Sequence, residues 1–183
     1  MRRNPGLILL LIIILVVGYF YFTRLSPTTT NRYNPQPVAT ASTPIGQRTK
    51  TSGCMVSGAL EDTACTPGAI IPTATKDQIC VSGYSKSVRN VTTDEKHQVY
   101  EEYGIATHTH GQYEIDHLVS LELGGSNDIA NLWPEAADPS PGFHQKDSLE
   151  NTLHAEVCNA TITLQQAQQE IATNWLSIYN GGQ

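Results

Sequence analysis

Positively charged side chains are scarce in this sequence, and most of the chain has even fewer than its total suggests. The 183 residues include 11 Lys and Arg against 17 Asp and Glu, a formal net charge of −6. Because Arg2, Arg3 and Arg24 flank an apolar run, residues 25–183 keep 8 Lys and Arg and carry −9. Tight nonspecific binding to duplex nucleic acid relies on Lys and Arg to neutralise phosphates. The composition disfavours that class unless a metal ion and a local basic patch supply positive charge.

The sequence also lacks any Cys-x-x-Cys pair, which weakens the case for a structural zinc site. Its cysteines all follow the apolar run, and an even number in an exported chain indicates disulfides. Sequence alone permits every possible pairing, and free thiols are the alternative. We favour one bond that closes a local loop and one that ties the start of the folded region to a late helix, namely Cys54 with Cys65 and Cys80 with Cys158.

An uninterrupted apolar run extends from Gly6 to Phe22 without a charged residue. Its 17 residues lie at the short end of the range that spans a bilayer. A cleaved signal peptide would share this pattern, but no small-x-small cleavage pair closely follows the run. We therefore expect an uncleaved single-pass anchor in the cell membrane, with secretion as the alternative. Arg2 and Arg3 favour a cytoplasmic N-terminus, which places the C-terminal domain outside the cytoplasm.

Composition divides the chain into an anchor, a linker and a folded domain. The anchor covers residues 1–24, and residues 25–53 are rich in Thr, Pro and Ser. This second segment has too little apolar surface to offset the entropy of ordering it, so we expect a flexible linker. The folded domain is predicted over residues 54–183. No internal repeat is apparent, which argues against a repeat architecture.

Two capping boxes mark the start of predicted helices. Thr92 and Glu95 open a short amphipathic helix that ends at Gly104. Thr163 and Gln166 open the last helix in the same way. In each box the threonine and the acid or amide three residues later satisfy backbone N–H groups that the first turn leaves free.

Apolar and polar residues alternate from Tyr113 to Leu123, which predicts a strand or two, and Gly124 and Gly125 predict the turn that follows. Apolar residues four apart predict a helix over residues 144–157. The expected fold class is α+β: a β-hairpin and one helix form the centre, and flanking helices supply apolar surface that so small a unit lacks.

The segment from Tyr113 to Lys146 contains an ordered set of motifs. An Asp-His pair closes a strand, a Gly-Gly turn follows, then an Asn before a Leu, and finally a His with a Lys shortly after it at a helix start. In this sequence they are Asp116-His117, Gly124-Gly125, Asn131-Leu132, and His144 with Lys146. The set resembles the HNH endonuclease family, whose ββα-metal core would be the β-hairpin and helix expected here.

The resemblance implies a division of labour in phosphodiester hydrolysis. His117 would act as the base that activates water, because the pKa of a histidine lies near working pH. Asp116 and His144 would hold a single divalent metal ion, and Asn131 would orient His117 through its side-chain amide or its backbone. Two protein ligands leave positions open for water and phosphate oxygens, as a catalytic metal requires.

Magnesium or manganese is the expected metal, and the imidazole ligand keeps zinc and nickel open. Lys146 and Arg89 are the candidates for contact with substrate phosphate. Lys146 lies next to the motif at the start of a helix, where phosphate binding is already favoured. The alternative for Arg89 is a surface salt bridge.

The sequence departs from the family pattern before its last histidine. Family members often have a cysteine there, where this chain has Phe143. His154 is the alternative to His144 as metal ligand; on an ideal helix the two lie about 80° apart, so both cannot easily face one ion. His108 and His110 are interpreted as residues of a solvated loop.

The function implied by the resemblance is a metal-dependent endonuclease that hydrolyses DNA, with RNA as the alternative substrate, outside the cytoplasmic membrane. Its expected partners are a nucleic acid and, through the N-terminal helix, the membrane. A different class remains open: a catalytically inactive HNH-like module, anchored to the envelope, that binds a protein or a glycan. The charge of −9 favours this second class, and the intact motif opposes it.

Overall fold

A computed structural model describes Ile45 and residues 47–181 of the chain. The predicted membrane segment, Gly6 to Phe22, lies outside these residues. Within the part that is described, no helix is both long enough and apolar enough to cross a membrane.

The described residues form an α+β domain, as predicted. Helix α1 spans Lys76–Ile79, α2 spans Tyr84–Val88 and α3 spans Thr93–Glu102. The sheet consists of β1, Tyr113–His117, and β2, Leu132–Ala136, joined through two 3-10 turns, Leu121–Leu123 and Ile129–Asn131. Helix α4, Phe143–Cys158, and helix α5, Leu164–Gly181, complete the chain. We call β1, β2 and α4 together the strand–strand–helix unit.

The two strands pair antiparallel, with His117 opposite Leu132 and Tyr113 opposite Ala136. The prediction that strand structure continues to Leu123 was wrong. The backbone N–H and C=O of Val119 are both bonded to the side chain of Asn131, so they cannot join a ladder. The chain instead turns into the 3-10 segment, and the alternating apolar residues there are buried inside a loop.

The predicted Gly-Gly turn is confirmed, and a different constraint requires glycine at each of the two positions. Gly124 has a φ of 73°, in the left-handed region that favours glycine. A Cβ added to Gly125 would lie 1.8 Å from the carbonyl oxygen of Val119, so the close approach of the two backbones requires the absence of a side chain. The Gly125 N–H donates to the carbonyl of Ser120 at 2.8 Å, which closes the turn.

The predicted helices are present with nearly the expected bounds. In α3, Thr92 and Glu95 form the predicted capping box. At the start of α5, Gln166 N–H donates to Thr163 Oγ1 at 3.1 Å, and Thr163 N–H donates to Gln166 Oε1 at 2.9 Å. Helix α5 is interrupted at Asn174, whose backbone is not helical.

The core lies between the hairpin and the helices. Trp133 of β2 and Trp175 of α5 are fully buried. Helices α4 and α5 pack against each other, and α3 packs against β2. These contacts supply the apolar surface that the strand–strand–helix unit lacks, with Val99, Leu118, Leu153, Val157 and Ile171 among the buried residues.

Two disulfides join the pairs that the sequence analysis favoured, Cys54 with Cys65 and Cys80 with Cys158. The domain begins earlier than residue 54, because the preceding segment is bonded to it. Arg48 Nε donates to the carbonyl of Cys65 at 2.7 Å, and its guanidinium pairs with Glu102. The Thr- and Ser-rich composition of this segment conceals these contacts in the sequence.

We expect the Cys80–Cys158 bond to stabilise the domain more than the Cys54–Cys65 bond, because it closes a sequence separation of 78 residues rather than 11. Loop-closure entropy gives about 4.5 kcal/mol for the first and about 3 kcal/mol for the second. Replacing each pair by alanine and measuring urea unfolding tests this. Equal losses, or a larger loss for the short loop, would contradict it.

Candidate functional site

Asn131 organises the loop between the two strands. Its side chain is fully buried, and its Oδ1 accepts from Val119 N at 2.8 Å and from Ala69 N at 3.3 Å. Its Nδ2 donates to the carbonyls of Val119 and Ser126, both at 2.9 Å. Its own carbonyl accepts from Leu118 N at 2.8 Å. Asn131 therefore fixes the backbone directly after His117, and its side-chain hydrogen bonds all go to backbone groups.

The imidazole of His117 lies at the end of β1 and is 2% exposed. Its Nε2 is 3.2 Å from Oδ1 of Asn127. That oxygen also accepts from Asn90 N, and Asn127 Nδ2 donates to the carbonyl of Val88, so the amide orientation is fixed. An amide oxygen can only accept, so Nε2 carries the proton and the lone pair is on Nδ1, which is buried without a partner.

Burial lowers the pKa of His117 to about 4, although the negative charge of Asp116 and the bond to Asn127 oppose the shift. The imidazole is therefore neutral at neutral pH. A neutral ring with a free Nδ1 can accept a proton, as a general base must, although a pKa this low makes it a weak base.

Asp116 is paired with a lysine. Lys146 of α4 is fully buried, and its Nζ donates to Asp116 Oδ2 at 2.6 Å and to the carbonyl of His117 at 2.8 Å. Lys146 also donates to Glu150, one helical turn further along α4. A lysine ammonium has three N–H donors. Each of them therefore has one oxygen acceptor here.

More carboxyl groups are buried here than one ammonium can neutralise. Glu135 of β2 is 1% exposed, and neither of its oxygens meets the geometry of a hydrogen bond. Burial raises its pKa to about 10, and burial likewise raises the pKa of Glu150 to about 7. We define the lysine cluster as Lys146 with Asp116, Glu135 and Glu150.

The ion pair with Lys146 keeps Asp116 ionised. Burial alone would raise the pKa of the Asp116 carboxyl, but the charge and the hydrogen bond of Lys146 outweigh it and hold the pKa below its usual value. Burial would lower the pKa of the Lys146 ammonium, and the surrounding carboxylates raise it well above its usual value. The pair is therefore charged, and Glu135 holds a proton at neutral pH.

The two predicted metal ligands, Asp116 and His144, have different surroundings. Asp116 Oδ2 is bonded to the Lys146 ammonium, and His144 is exposed with its ring against that of Phe143. Among the described residues, no group of three potential ligands includes either of them. The Lys146 ammonium already occupies one oxygen of Asp116, so a divalent ion at that carboxylate would lie beside a positive charge, which disfavours its binding.

Lys146 also does not fit its predicted role as a phosphate contact, since its ammonium is enclosed and turned toward Asp116. Arg89 fits that role better. It is exposed, and it follows Val88, whose carbonyl is bonded to Asn127 beside His117. The positive charge of Arg89 is also close enough to contribute to the lowered pKa of His117, after burial as the main cause.

A separate group could hold a metal ion. The ligand atoms of Cys80, His154 and Cys158 lie within 4.8 Å of one another. His154 Nε2 is 3.5 Å from Cys158 Sγ and 3.1 Å from the carbonyl of Ile79. Both sulfurs are joined in the disulfide, and only a thiolate ligates metal strongly, so metal binding there competes with the bond.

Sequence reasoning missed three residues of the site. Glu150 could have been found, because it lies four residues after Lys146 on a predicted helix, the spacing of an ion pair. Asn127 and Glu135 carry no such signal. The first depends on the conformation of the loop, and the second on the register of β1 and β2.

Comparisons of the chain with protein-family models, with curated proteins and with solved structures find no match.

We expect Asn131→Asp to destabilise the domain by several kcal/mol. The shape is kept, but a carboxylate cannot donate to the carbonyls of Val119 and Ser126, and each buried group left unsatisfied costs about 1–3 kcal/mol. Chemical denaturation measures the loss. The control is Asn151→Asp on α4, where the exposed side chain bonds only to its own helix. Equal small effects for both variants would show that the loop does not depend on Asn131.

Glu61 makes stability depend on pH. It is 7% exposed with one oxygen unpartnered, and burial raises its pKa to about 7 from an ordinary value near 4.5. The folded state binds the proton more tightly, so stability is full below pH ~4.5 and falls as pH rises to about 7. Relative to wild type, Glu61→Gln should gain about 3 kcal/mol in unfolding free energy between pH 4 and pH 8. A constant difference would contradict the shift.

Proposed function

We propose that the domain hydrolyses phosphodiester bonds of nucleic acid, as an HNH-like endonuclease that acts outside the cytoplasmic membrane. The observation that carries this proposal is the neutral His117 at the end of β1, with a free lone pair on Nδ1 and its other nitrogen held by Asn127. A positioned, unprotonated imidazole is the group that such a reaction needs to activate water. The order of β1, β2 and α4 is also the order that the resemblance implies.

The surroundings of His117 support the same reaction. Asn131 locks the backbone that follows the imidazole, which a base requires if it is to stay in one position. Arg89 lies on the segment bonded to Asn127 and can pair with a phosphate oxygen in a bidentate manner. Its positive charge acts on the imidazole of His117, so a phosphate drawn to Arg89 would lie in the neighbourhood of the base.

His117 is 2% exposed, so a substrate must reach Nδ1 by a local movement of the loop that carries Asn127. That loop contains the Gly-Gly turn and the exposed Asp128. We propose DNA as the substrate, as in the resemblance, with RNA as the alternative. The disulfides are compatible with the proposed location outside the cytoplasm, because such bonds persist in oxidising compartments.

A second candidate function is a noncatalytic binding module with the same strand–strand–helix unit. The ion pair between Lys146 and Asp116 favours it, because a buried ammonium is already bonded to the carboxylate that a catalytic metal would need. Such a module would use the domain surface to bind a protein or glycan of the envelope.

The decisive measurement is degradation of plasmid DNA and of RNA by the purified full chain, oxidised and kept in detergent. Reactions should contain magnesium, manganese, zinc, nickel or a chelator. We expect cutting that His117→Ala lowers by about 100-fold or more, as expected when a general base is lost. His110→Ala, a change in an exposed loop histidine, is the matched control and should cut normally.

The phosphate contact is tested in the same assay. Arg89→Ala should weaken cutting mainly through KM, and Lys86→Ala, an exposed lysine on α2, should leave it unchanged. No cutting of either nucleic acid under any of these conditions, by protein shown to be folded, would reject the hydrolase and leave the binding module.

A further inference from the structure

Lys146 is unusual among the lysines of the described residues because its side chain is 0% exposed and its amine lies inside the strand–strand–helix unit. The side chain extends from α4 to the end of β1, where Nζ donates to the Asp116 carboxylate and to the carbonyl of His117. An ammonium removed from water this completely is stable only when it is paired and each of its N–H groups is satisfied. The lysine cluster meets both requirements.

The acceptors around this amine resemble the surroundings of a bound cation. Asp116, the carbonyl of His117 and Glu150 are bonded to it, and they come from two separate elements of the chain. Glu135 adds a further buried carboxyl from β2 whose charge interacts with both Lys146 and Asp116. Oxygen atoms gathered from three elements around one positive centre are the donor set of a hard cation.

We propose that the Lys146 ammonium is the permanent cation of this site and replaces a divalent metal ion at Asp116. A metal bound to Asp116 would lie within a few ångströms of the ammonium, and two positive charges that close repel strongly inside a protein. The helix thus supplies through a side chain the charge that the resemblance assigns to a metal. This inference does not rest on the proposed hydrolysis, because it concerns the charge balance of the fold.

Two consequences distinguish a cation supplied by a side chain from a metal ion bound from solution. First, the native protein needs no divalent ion at Asp116, so chelator should leave its melting temperature unchanged. Second, removing the amine should leave oxygen donors without a cation. The donors are then free to bind one from solution, provided that the replacement side chain leaves space. Lys146→Ala leaves that space, and Lys146→Met largely fills it without charge.

The first experiment is Mn²⁺ titration of the full chain by calorimetry, with thermal unfolding in parallel at neutral pH. We expect wild type to show no Mn²⁺ binding that depends on Asp116. The test variant is Asp116→Asn, and its control is Asp94→Asn, which changes an exposed carboxylate on α3. Stoichiometric binding to wild type that Asp116→Asn abolishes and Asp94→Asn retains would overturn the proposal. This arm uses folded protein and needs no lysine variant.

The second experiment removes the amine. Lys146→Met should lower the melting temperature by about 10 °C or more, because uncompensated carboxylates remain buried. The matched control is Lys50→Met, which removes a half-exposed lysine paired with Asp62. This variant should change the melting temperature little. The double variant Asp116→Asn with Lys146→Met should recover much of the loss, which keeps the test informative if the single variant does not fold.

Lys146→Ala completes the test. We expect it to bind one Mn²⁺ ion and to melt several degrees higher with Mn²⁺ than with chelator, whereas Lys146→Met should show a smaller gain. If Lys146→Ala is as stable as wild type in chelator, no cation is needed at this position and the proposal fails. Because binding and melting are the readouts, failure of the nuclease assay leaves this result unaffected.

Discussion

The buried pairing of Lys146 with Asp116 determines how the rest of the domain is arranged. The pair links the end of β1 to the first turns of α4, so it fixes the angle at which helix and hairpin meet. A charged pair of this kind does not add much stability compared with well-packed apolar residues, because both ions lose their hydration. Its contribution is specificity: any arrangement that separates the two leaves a charge buried and unpaired.

Buried polar groups, more than apolar packing, define the geometry around this pair. Asn131 replaces a strand partner for Val119, and Asn127 holds the imidazole of His117 in place. Each of these amides satisfies groups from several segments at once, which ties the loop between β1 and β2 to its neighbours. The apolar core under it, with Trp133 and Trp175 at its centre, supplies the burial that gives these bonds their strength.

Local chemistry made much of the fold predictable. The capping box of Thr92 and Glu95 and the Gly-Gly turn depend on residues a few positions apart, and both were predicted correctly. The second strand was misplaced because the alternating pattern through Val119 has the period of a strand, while the long-range bonds from Asn131 decide its conformation. Sequence could name Asp116, His117 and Asn131 as a group, but not which of them would face Lys146.

The sequence also could not predict which charged side chains are buried. The resemblance assigned a metal to Asp116, and the sequence offered Lys146 only as a phosphate contact, because hydropathy does not reveal that a lysine is enclosed. Its burial follows from the register of β1 and β2 and from the docking of α4, which are properties of the folded chain. The spacing between Lys146 and Glu150 was the one local sign of this pairing.

The Cys80–Cys158 bond closes a covalent ring that contains Asp116, His117, Asn131 and Lys146. The exposed segment at residues 138–140 lies within that ring. If a protease cut the chain there, the two pieces would remain joined through the sulfurs, and the hairpin and α4 would still be held together by the core. The ring therefore gives the domain tolerance to a single cut in this segment.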